Sequence, residues 1–364
     1  MVMQSLNEKT WAQLSAFGDD APLCIKTTDS SIDGVRLIDD DEKSVPYVTR
    51  SDSNNGLARF VSPKNYEFGS DDGGCITVGL DTQTAFYQPH KFVTGQNIQV
   101  ITGESLNEDV AQFMVPILRQ QMTAKFNWGG NGATLSRMKR LTIMLPVTDS
   151  GEPDYAYMAE YAQQKRDAML AKYRAYVEAR IAELGKAVKI PALDEKEWKP
   201  IFISSMFELV RGRENNMAML EDGDTPLISA KANNNGLKGF VHNPKKIIAG
   251  QCITLNNDGD GGAGLAYYQP ANMALDSHVT ALVPLIDMSA FVMLFIAKCI
   301  SGLHGFFGHG LSISNPRAKR LRIMLPVTDS GEPDYKYMEQ YSKNMMLRKY
   351  QQYLTFLHQR SNTR

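Results

Sequence analysis

The sequence predicts an α/β (α+β) protein in which two similar β-rich domains are separated by two long helices that form an antiparallel coiled coil with pseudo-two-fold symmetry. The first observation behind this prediction is an internal duplication. The segment KRLTIMLPVTDSGEPDYAYM, residues 139–158, returns as KRLRIMLPVTDSGEPDYKYM, residues 319–338, with only two substitutions. The other two observations are the short apolar runs that precede each copy and the long amphipathic stretch that follows each copy.

Composition sets the broad class of the protein. With 364 residues and 43% hydrophobic residues, the chain is long enough for two domains with their own cores. A formal net charge of −1 argues against a protein that coats nucleic acid non-specifically, although a local basic groove stays open. Four cysteines without a C-x-x-C pair predict neither a zinc knuckle nor a disulfide framework and favour a reduced, cytoplasmic setting. No apolar run approaches the ~18 residues of a membrane span, so no membrane partner is expected.

The first half opens with short strands separated by turn residues, the pattern of a β-rich domain. Asn55 and Gly56 predict a two-residue hairpin turn, because both tolerate a positive φ. A helical patch is expected from Asn107 to Met122, interrupted by Pro116. The glycine-rich loop NWGGNGAT, residues 127–134, then precedes the strand that carries LTIML.

Each duplicated segment leads into a long helix. Pro153 and Pro333 suit the first helical position, where the missing N–H of proline costs nothing. The first helix should run to about Gly185 with a narrow apolar stripe, which two such helices can bury against each other. The residues assigned to these stripes and to partner binding are Met158, Tyr161, Tyr173, Val177, Met338, Tyr341, Tyr350 and Leu354. The predicted boundaries are 1–150 and 191–330 for the domains and 151–190 and 331–364 for the helices.

The second half repeats the order of the first. PLISAKANNNGLKGFV begins at Pro226, which lies 180 residues after the start of PYVTRSDSNNGLARFV at Pro46. QCITL follows GCITV by 177 residues and YYQP follows FYQP by 181, so a four-residue insertion lies within NNDGDGGAG. The duplication therefore extends over the β-rich part of each half.

These segments resemble the DNA-specificity (S) subunits of restriction–modification systems of type I and of the related type IIB kind. The resemblance rests on EWKPIFISSMFELVRGR (197–213), TPLISAKANNNGLKGFV (225–241) and KRLRIMLPV leading into GEPDYKYM. It covers essentially the whole chain, twice. The opening of the first half, residues 11–25, is shorter than its counterpart and departs from the pattern.

The resemblance implies that each domain reads one half of a split target in double-stranded DNA. It also implies that the helices set the spacer and bind adenine-N6 methyltransferase subunits, which carry S-adenosylmethionine and flip out the target base. In many such systems a restriction nuclease subunit joins them. This chain itself is expected to hold no cofactor and to be non-catalytic. Its nearest strings to the methyltransferase motif [DNS]-P-P-[YFW], at Ser62 and Asn243, lack the second proline.

The candidate DNA-binding residues are polar, basic or aromatic side chains on predicted loops. Asparagine amides can pair with adenine, and basic side chains can contact phosphate. For the asparagines that directly precede Gly56 and Gly236 we favour turn chemistry over base contact. The candidates are Arg50, Asn54, Lys64, Lys125, Asn127, Trp128, Asn131 and Arg137 in the first half, and Lys231, Asn233, Asn234, Lys245, His304, Phe306, His309, Asn315 and Arg317 in the second.

Three other hypotheses arise from the residues. His304 and His309 have no third ligand in view, so no metal site is predicted. Asp154, followed by Glu197 and Lys199, mimics a nuclease constellation and leaves open a DNA endonuclease in its own right. Asp154 recurs as Asp334 without a following E-x-K, which favours coincidence. The remaining alternative is a non-catalytic protein that copies the architecture of a specificity subunit without reading DNA.

Overall fold

A computed structural model describes residues 4–18, 21–126, 132–216, 219–259, 262–308 and 311–362. The chain divides into two compact units, unit 1 (Met1–Tyr173) and unit 2 (Arg174–Arg364). The predicted candidates Asn127, Trp128, Asn131 and His309 lie outside the described residues.

Unit 1 contains nine strands and the first three α-helices within its described residues. The strands are β1 (Trp11–Ser15), β2 (Cys24–Thr27), β3 (Val45–Val48), β4 (Leu57–Val61), β5 (Cys75–Gly79), β6 (Ala85–Gln88), β7 (Val93–Thr94), β8 (Ile98–Thr102) and β9 (Thr142–Pro146). The helices are α1 (Glu108–Lys125), α2 (Leu135–Met138) and α3 (Tyr155–Leu184), whose last residues belong to unit 2.

The strands of unit 1 form three sheets. A four-stranded antiparallel sheet has the order β2-β8-β5-β6, a three-stranded sheet has the order β4-β3-β7, and β1 pairs with β9. Strand β5 is buried along its whole length. Alternate side chains of β5 point to opposite faces of the sheet, and both faces are buried. Ile76 and Val78 belong to the hydrophobic cluster that includes α1, and Cys75 packs with Val48 and Val100 on the other face.

Helix α1 covers the four-stranded sheet and is continuous. Its N-cap is Asn107, whose side-chain oxygen accepts hydrogen bonds from the backbone N–H groups of Asp109 and Val110 at 3.0 Å each. The predicted interruption at Pro116 is wrong. Pro116 and Gln112 both lie on the exposed side of α1, so the Gln112 carbonyl that loses its helical partner can be hydrated.

Unit 2 repeats this set of elements. Its strands are β10 (Trp198–Phe202), β11 (Phe207–Arg211), β12 (Asp222–Ile228), β13 (Leu237–Val241), β14 (Ile247–Ile248), β15 (Cys252–Asn256), β16 (Ala266–Gln269), β17 (Met273–Leu275), β18 (Val279–Pro284) and β19 (Arg322–Pro326). Its helices are α4 (Ala290–Ser301), α5 (Asn315–Ala318) and α6 (Tyr335–Asn362), together with the end of α3.

The two units have the same topology. Unit 2 has a four-stranded sheet of order β11-β18-β15-β16, a pair β10-β19, and a second sheet of order β13-β12-β17-β14 that gains one strand, β14. Helix α4 packs on its sheet as α1 does on that of unit 1. The predicted α/β fold with two similar β-rich domains and long helices is therefore confirmed.

The long helices begin later than proline placement predicts. Helix α3 starts at Tyr155 and α6 at Tyr335, so Pro153 and Pro333 are not first helical residues. Both prolines instead form isolated bridges, with Val147 and Val327. The residues that cap the helices are Asp154 and Asp334, whose carboxylates accept the backbone N–H of Tyr157 and Tyr337 at 3.0 Å.

The connection that contains Asn55 is longer than a two-residue hairpin. Strands β3 and β4 pair antiparallel with Val48 opposite Leu57, which leaves residues 49–56 between them. Asn54, Asn55 and Gly56 all have positive φ, of 50°, 58° and 76°. The predicted conformation is confirmed and the predicted loop length is wrong, because consecutive left-handed residues here form a tight turn at the end of a longer loop.

The capping aspartates predict a pH dependence of stability. Burial would raise the pKa of Asp154, but hydrogen bonds from Lys9 and from the Tyr157 N–H outweigh burial and hold the pKa below the usual 3.8. The pKa of Asp334 is lowered in the same way, because hydrogen bonds from Lys196 and from the Tyr337 N–H outweigh the effect of burial. A lowered folded-state pKa means that this stabilisation is fully present above the unfolded pKa and is lost as the pH falls through the folded value.

We therefore expect Asp154→Asn to reduce the free energy of unfolding by roughly 1 to 2 kcal/mol at pH 6, because a charge-assisted hydrogen bond is lost while the cap is kept. Urea unfolding of the wild type and the variant, measured at pH 6 and again near pH 3, should show the difference shrinking at the lower pH. Asp149→Asn, in the exposed turn before the cap, is the control. A difference independent of pH would contradict the assignment.

Candidate functional site

The Asn-Asn-Gly turn occurs in both units with the same geometry. The Asn55 side-chain amide donates to the Tyr87 carbonyl at 2.7 Å, and Asn235 donates to the Tyr268 carbonyl at 3.0 Å. These bonds tie the turn to β6 and to β16, as expected for turn chemistry at the asparagine before each glycine. The preceding residues, Asn54, Asn233 and Asn234, are exposed.

The other described candidates of unit 1 lie on separate segments of the chain. Arg50 forms an ion pair with Asp81, and the Lys64 ammonium lies 3.0 Å from a carboxylate oxygen of Asp40. Arg137 donates to the Gly132 carbonyl at 3.0 Å, and Lys125 is the last residue of α1. DNA contact by these residues stays a prediction.

Most of the other candidates of unit 2 form hydrogen bonds within that unit. The Lys231 ammonium donates to the Leu237 carbonyl at 3.2 Å, and the Lys245 ammonium lies 2.5 Å from the Asn215 amide oxygen. The His304 ring lies 2.6 Å from the Ala263 carbonyl. The remaining three are Asn315, which accepts from Thr280, Arg317, which donates to the Ser312 carbonyl, and Phe306, which is 71% exposed.

A polar cleft of about 780 Å³ in unit 2 brings one of these candidates together with residues that sequence analysis missed. Lys231 lines it with Lys238 and His278, and the His278 ring lies 2.7 Å from a carboxylate oxygen of Asp258. Asp258 lies in the segment that contains the insertion. The insertion could have indicated this cleft from the sequence, because a loop added to only one of two similar domains changes the surface of that domain.

The first turns of the long helices pack into the core of their own unit. Met158 and Met338 are fully buried. The Tyr161 ring contacts Phe113 edge to face at a centroid distance of 5.6 Å, and Tyr341 contacts Phe295 at 5.5 Å. These four stripe residues therefore anchor each helix to its domain rather than to the other helix.

The duplication also includes the opening of each unit. Trp11 stacks on Phe113 and Trp198 stacks on Phe295, each at 6.1 Å. Their indole N–H groups donate to the carbonyls of Leu6 and Leu193. The tryptophans are 198 − 11 = 187 residues apart, not 180, so the shorter opening of the first half hid this correspondence.

Within unit 2 the end of α3 and the chain after it run antiparallel to α6. The Tyr176 ring meets Tyr350 at right angles at 6.4 Å, and further along Val188 exchanges two hydrogen bonds with the side chain of Asn344. Since the partner number falls from 350 to 344 as the first rises, the two segments are antiparallel. Val177 is fully buried, and Leu354 is half-buried.

Four large hydrophobic side chains on α3 are exposed, of which Leu170, at 37%, is the least exposed. Met169, Tyr173 and Tyr176 have exposed fractions of 72%, 44% and 51%. Their spacing of four and three residues places them along one face of the helix. Exposed aromatic and methionine side chains on one face are typical of a protein-binding surface.

The residues of the nuclease hypothesis have structural roles. Asp154 caps α3 and pairs with Lys9 at 2.7 Å, as Asp334 does with Lys196 at 2.9 Å. The Lys199 ammonium lies 3.2 Å from a carboxylate oxygen of Glu197. Among the described residues, no group of three or more His, Cys, Asp or Glu side chains could hold a metal ion. No described helix is long and apolar enough to cross a membrane.

The described residues form a repeated α/β domain, each copy followed by a long helix, and this duplication agrees with a comparison with known families. The family model for the type I restriction–modification DNA specificity domain matches twice, over residues 33–170 and 195–353. The chain therefore belongs to this family and is a specificity subunit of a restriction–modification system with two DNA-recognition domains.

Individual relatives are distant. The chain is 25% identical over 306 residues to a type II restriction enzyme specificity subunit, S.BcgI, of Heyndrickxia coagulans, covering 84% of this chain and 86% of that one. Among solved structures, a type I S subunit from M. genitalium shares 13% identity at a TM-score of 0.47, with 100% and 96% of the two chains covered. The HsdS subunit from Thermoanaerobacter tengcongensis shares 14% identity at a TM-score of 0.31, with 94% and 93% covered.

Proposed function

We propose that each domain reads one half of an interrupted, asymmetric DNA target and that the long helices set the gap between the halves. One observation carries the proposal. The two units share the same strands and turns, but they differ in the charged side chains at equivalent positions. Before the Asn-Asn-Gly turn, Arg50-Ser51-Asp52 in unit 1 is replaced by Ala230-Lys231-Ala232 in unit 2. Equivalent loops with different donors and charges suit two different half-sites.

The length of α3 supports a role in setting the gap. Its 30 residues span about 45 Å at ~1.5 Å per residue. Adjacent major-groove faces on one side of DNA recur every ~34 Å, so a helix of this length is of the order that a two-headed reader needs.

We propose further that the chain itself is non-catalytic and acts by positioning adenine-N6 methyltransferase subunits, which bind S-adenosylmethionine. Met169 and Tyr173, which are exposed on the part of α3 that belongs to unit 1, support such docking, because aromatic and methionine side chains are enriched in protein interfaces. A restriction nuclease would enter as a further subunit or as a domain of the methyltransferase subunit. The nuclease hypothesis for this chain is not favoured, because Asp154 is engaged by Lys9 and by the start of α3.

The proposal predicts that exchanging one domain changes one half of the target. Residues 1–150, or separately 193–330, would be replaced by the corresponding domain of another specificity subunit, and methylated sites would be mapped across the host genome. We expect complete replacement of one half-site, with the other half-site and the spacer length unchanged. A swap confined to 155–184, the helix, is the control and should alter no base that is read.

Unchanged methylation sites after either domain swap would contradict the proposal. Such a result would favour a protein that only copies this architecture. Magnesium-dependent cleavage of DNA by the purified chain, lost in Asp154→Ala, would instead revive the endonuclease hypothesis.

A further inference from the structure

An aspartate follows an inner strand of the four-stranded sheet in both units. Asp81 lies two residues after β5, and Asp258 lies two residues after β15. Each contacts the residue that directly precedes the neighbouring strand, which is Asn97 before β8 and His278 before β18. In both units the N–H of the residue before the aspartate donates to the carbonyl of the residue before that strand, at 3.0 Å in unit 1 and 2.9 Å in unit 2. The two pairs therefore occupy equivalent positions.

The pairs differ in the side chain that the aspartate holds. In unit 1 the Asn97 amide nitrogen donates to Asp81 at 3.3 Å, and Arg50 forms an ion pair with the same carboxylate. In unit 2 the position of Arg50 holds an alanine, and Nδ1 of His278 lies 2.7 Å from the aspartate of that unit. Both held side chains are on exposed residues. Each aspartate therefore orients a different exposed side chain at an equivalent point of the fold.

Two candidate DNA-binding loops of unit 2 meet beside its pair. The cleft of about 780 Å³ is lined by His278 and Asp258, by residues 229–231 before the Asn-Asn-Gly turn, and by Ser312, whose counterpart belongs to the glycine-rich loop of unit 1. The chain after Ser312 is fixed there, since the Ile313 N–H donates to the carbonyl of the residue before Asp258 at 2.7 Å. Unit 1 has the equivalent bond at 2.9 Å. His278 therefore lies where these loops converge.

The charges inside the cleft suit a base edge better than a phosphate. Lys231 and Lys238 line the cleft, and so do Asp258 and Asp276. A phosphate held inside would meet two carboxylates, and like charges repel. A base edge carries no net charge and presents hydrogen-bond donors and acceptors, which such a mixed lining can match.

Further cations adjoin the cleft. Arg211 donates to the Ser277 carbonyl at 2.9 Å, and Arg317 donates to the Ser312 carbonyl. Lys238 is exposed on β13, at the edge of its sheet. Cations around a mixed cleft suit the phosphate backbone on either side of a base that is read inside it.

The hydrogen bond with Asp258 fixes which ring nitrogen of His278 carries the proton. An ionised carboxylate only accepts, so Nδ1 is the donor in that bond. In the neutral ring Nε2 is then an acceptor, and no described residue bonds to it. In the major groove such an acceptor matches the N6 amine of adenine or the N4 amine of cytosine.

We propose that His278 selects one base of the half-site read by unit 2, by accepting a hydrogen bond at Nε2 from the amino group of adenine or cytosine. Asp258 is the positioning residue that holds the ring. This inference rests on the proposed function and adds to it the residue that discriminates and the class of base that it takes. In unit 1 the Asn97 amide, held by Asp81, takes the equivalent place, so one framework presents a different reading group in each unit.

The test uses the full chain in complex with the proposed methyltransferase partner. Sites bound by wild type and by His278→Asn would be selected from a library of DNA duplexes with randomised sequence, and thermal melting would confirm folding. We expect His278→Asn to reduce the preference for adenine or cytosine about tenfold at one position, the discrimination typical of a specific base contact. All other positions should be unchanged, and the half-site read by unit 1 is an internal control.

His242→Asn is the matched control for this variant. It makes the same change at an exposed histidine of unit 2 that lies outside the lining of the cleft. We expect it to select the same sequences as wild type. Lys238→Ala should behave differently from both histidine variants, because loss of a phosphate contact weakens binding to all sequences evenly and lowers its salt dependence.

Variants of Asp258 test its positioning role. Asp258→Ala should reduce discrimination at the same position as His278→Asn, and combining the two should add little, because both remove one contact. Asp258→Asn should restore most of the discrimination, since its amide oxygen still accepts from Nδ1. A purely structural aspartate would instead lower the melting temperature without changing the selected base.

Wild-type selection by His278→Asn would overturn the inference. An even loss of affinity across all sequences would overturn it as well, because the pair would then only fix the loop. Selection of guanine or thymine by wild type at the affected position would contradict the assignment of Nε2 as an acceptor. None of these results touches the proposed function, which is decided separately by whether a domain swap moves a half-site.

Discussion

Val177→Asp is expected to lower the free energy of unfolding of unit 2 by about 3 to 5 kcal/mol. Val177 is fully buried near the end of α3, between Tyr176, which meets Tyr350, and Arg180, which hydrogen-bonds to the same tyrosine. A carboxylate there would lose its hydration, and the neighbouring Arg180 is already engaged by Glu183 and Tyr350, so the substitution is expected to be costly.

Hydrogen exchange detected by mass spectrometry would localise the effect. Peptides covering 174–184 and 350–358 should lose protection, while those covering β5 and β8 of unit 1 should not change. Met169→Asp is the matched control on the same helix, since its side chain is 72% exposed. Met169→Asp should leave the free energy of unfolding unchanged and should weaken binding of the proposed methyltransferase partner. Retained protection at 174–184 in Val177→Asp would show that the antiparallel contact contributes little.

Gly212→Ala is expected to destabilise unit 2 by roughly 3 kcal/mol or more. A Cβ at residue 212 would lie 2.0 Å from the Asp276 carbonyl oxygen and 2.5 Å from that of Leu275. Both obstacles are backbone atoms, and the same stretch accepts hydrogen bonds from the N–H groups of Arg213 and Glu214. The clash can be relieved only by moving β11 away from the segment after β17, at the expense of these bonds.

Gly239→Ala is the control for this prediction, because a Cβ there meets nothing within 4 Å. It should leave stability unchanged or raise it slightly, since alanine restricts the unfolded chain. Thermal melting, with hydrogen exchange over β15 and β18, would compare the two variants. Because Asp276 and His278 also line the polar cleft, Gly212→Ala should impair methylation at the half-site that we propose unit 2 reads. Equal stability of both variants would contradict the steric argument.

Local sequence rules failed where tertiary contacts outweighed them. Proline at 153 suits a first helical position, yet the chain bridges to Val147 first and begins α3 after Asp154, which Lys9 holds in place. Pro116 does not interrupt α1, because the apolar side chains on the opposite face are buried against a sheet and the proline faces water. The stripe of α3 likewise serves two purposes, since Met158 fills the core of unit 1 and Val177 is buried in unit 2.

Some features of the candidate site were predicted from the sequence, and others were revealed only by the structure. The Asn-Asn-Gly turns were predicted because their conformation depends on the residues themselves. The cleft of Lys231, Lys238 and His278 was not predicted, because its members lie on three segments that only the sheets bring together. The pairing of Trp11 with Phe113 was also missed, because it joins residues about a hundred positions apart.

The sequence by itself determined that this protein is a duplicated α/β recognition subunit with a long helix after each domain. Repetition, hydrophobic period and turn residues are properties of neighbouring positions, and they can be compared along the chain without knowing the fold. Only the tertiary structure decided which side chains of the helices are buried, where the helices begin, and which charged groups share a surface. Those outcomes depend on burial and on ion pairs between distant residues, and these exist only once the chain has folded.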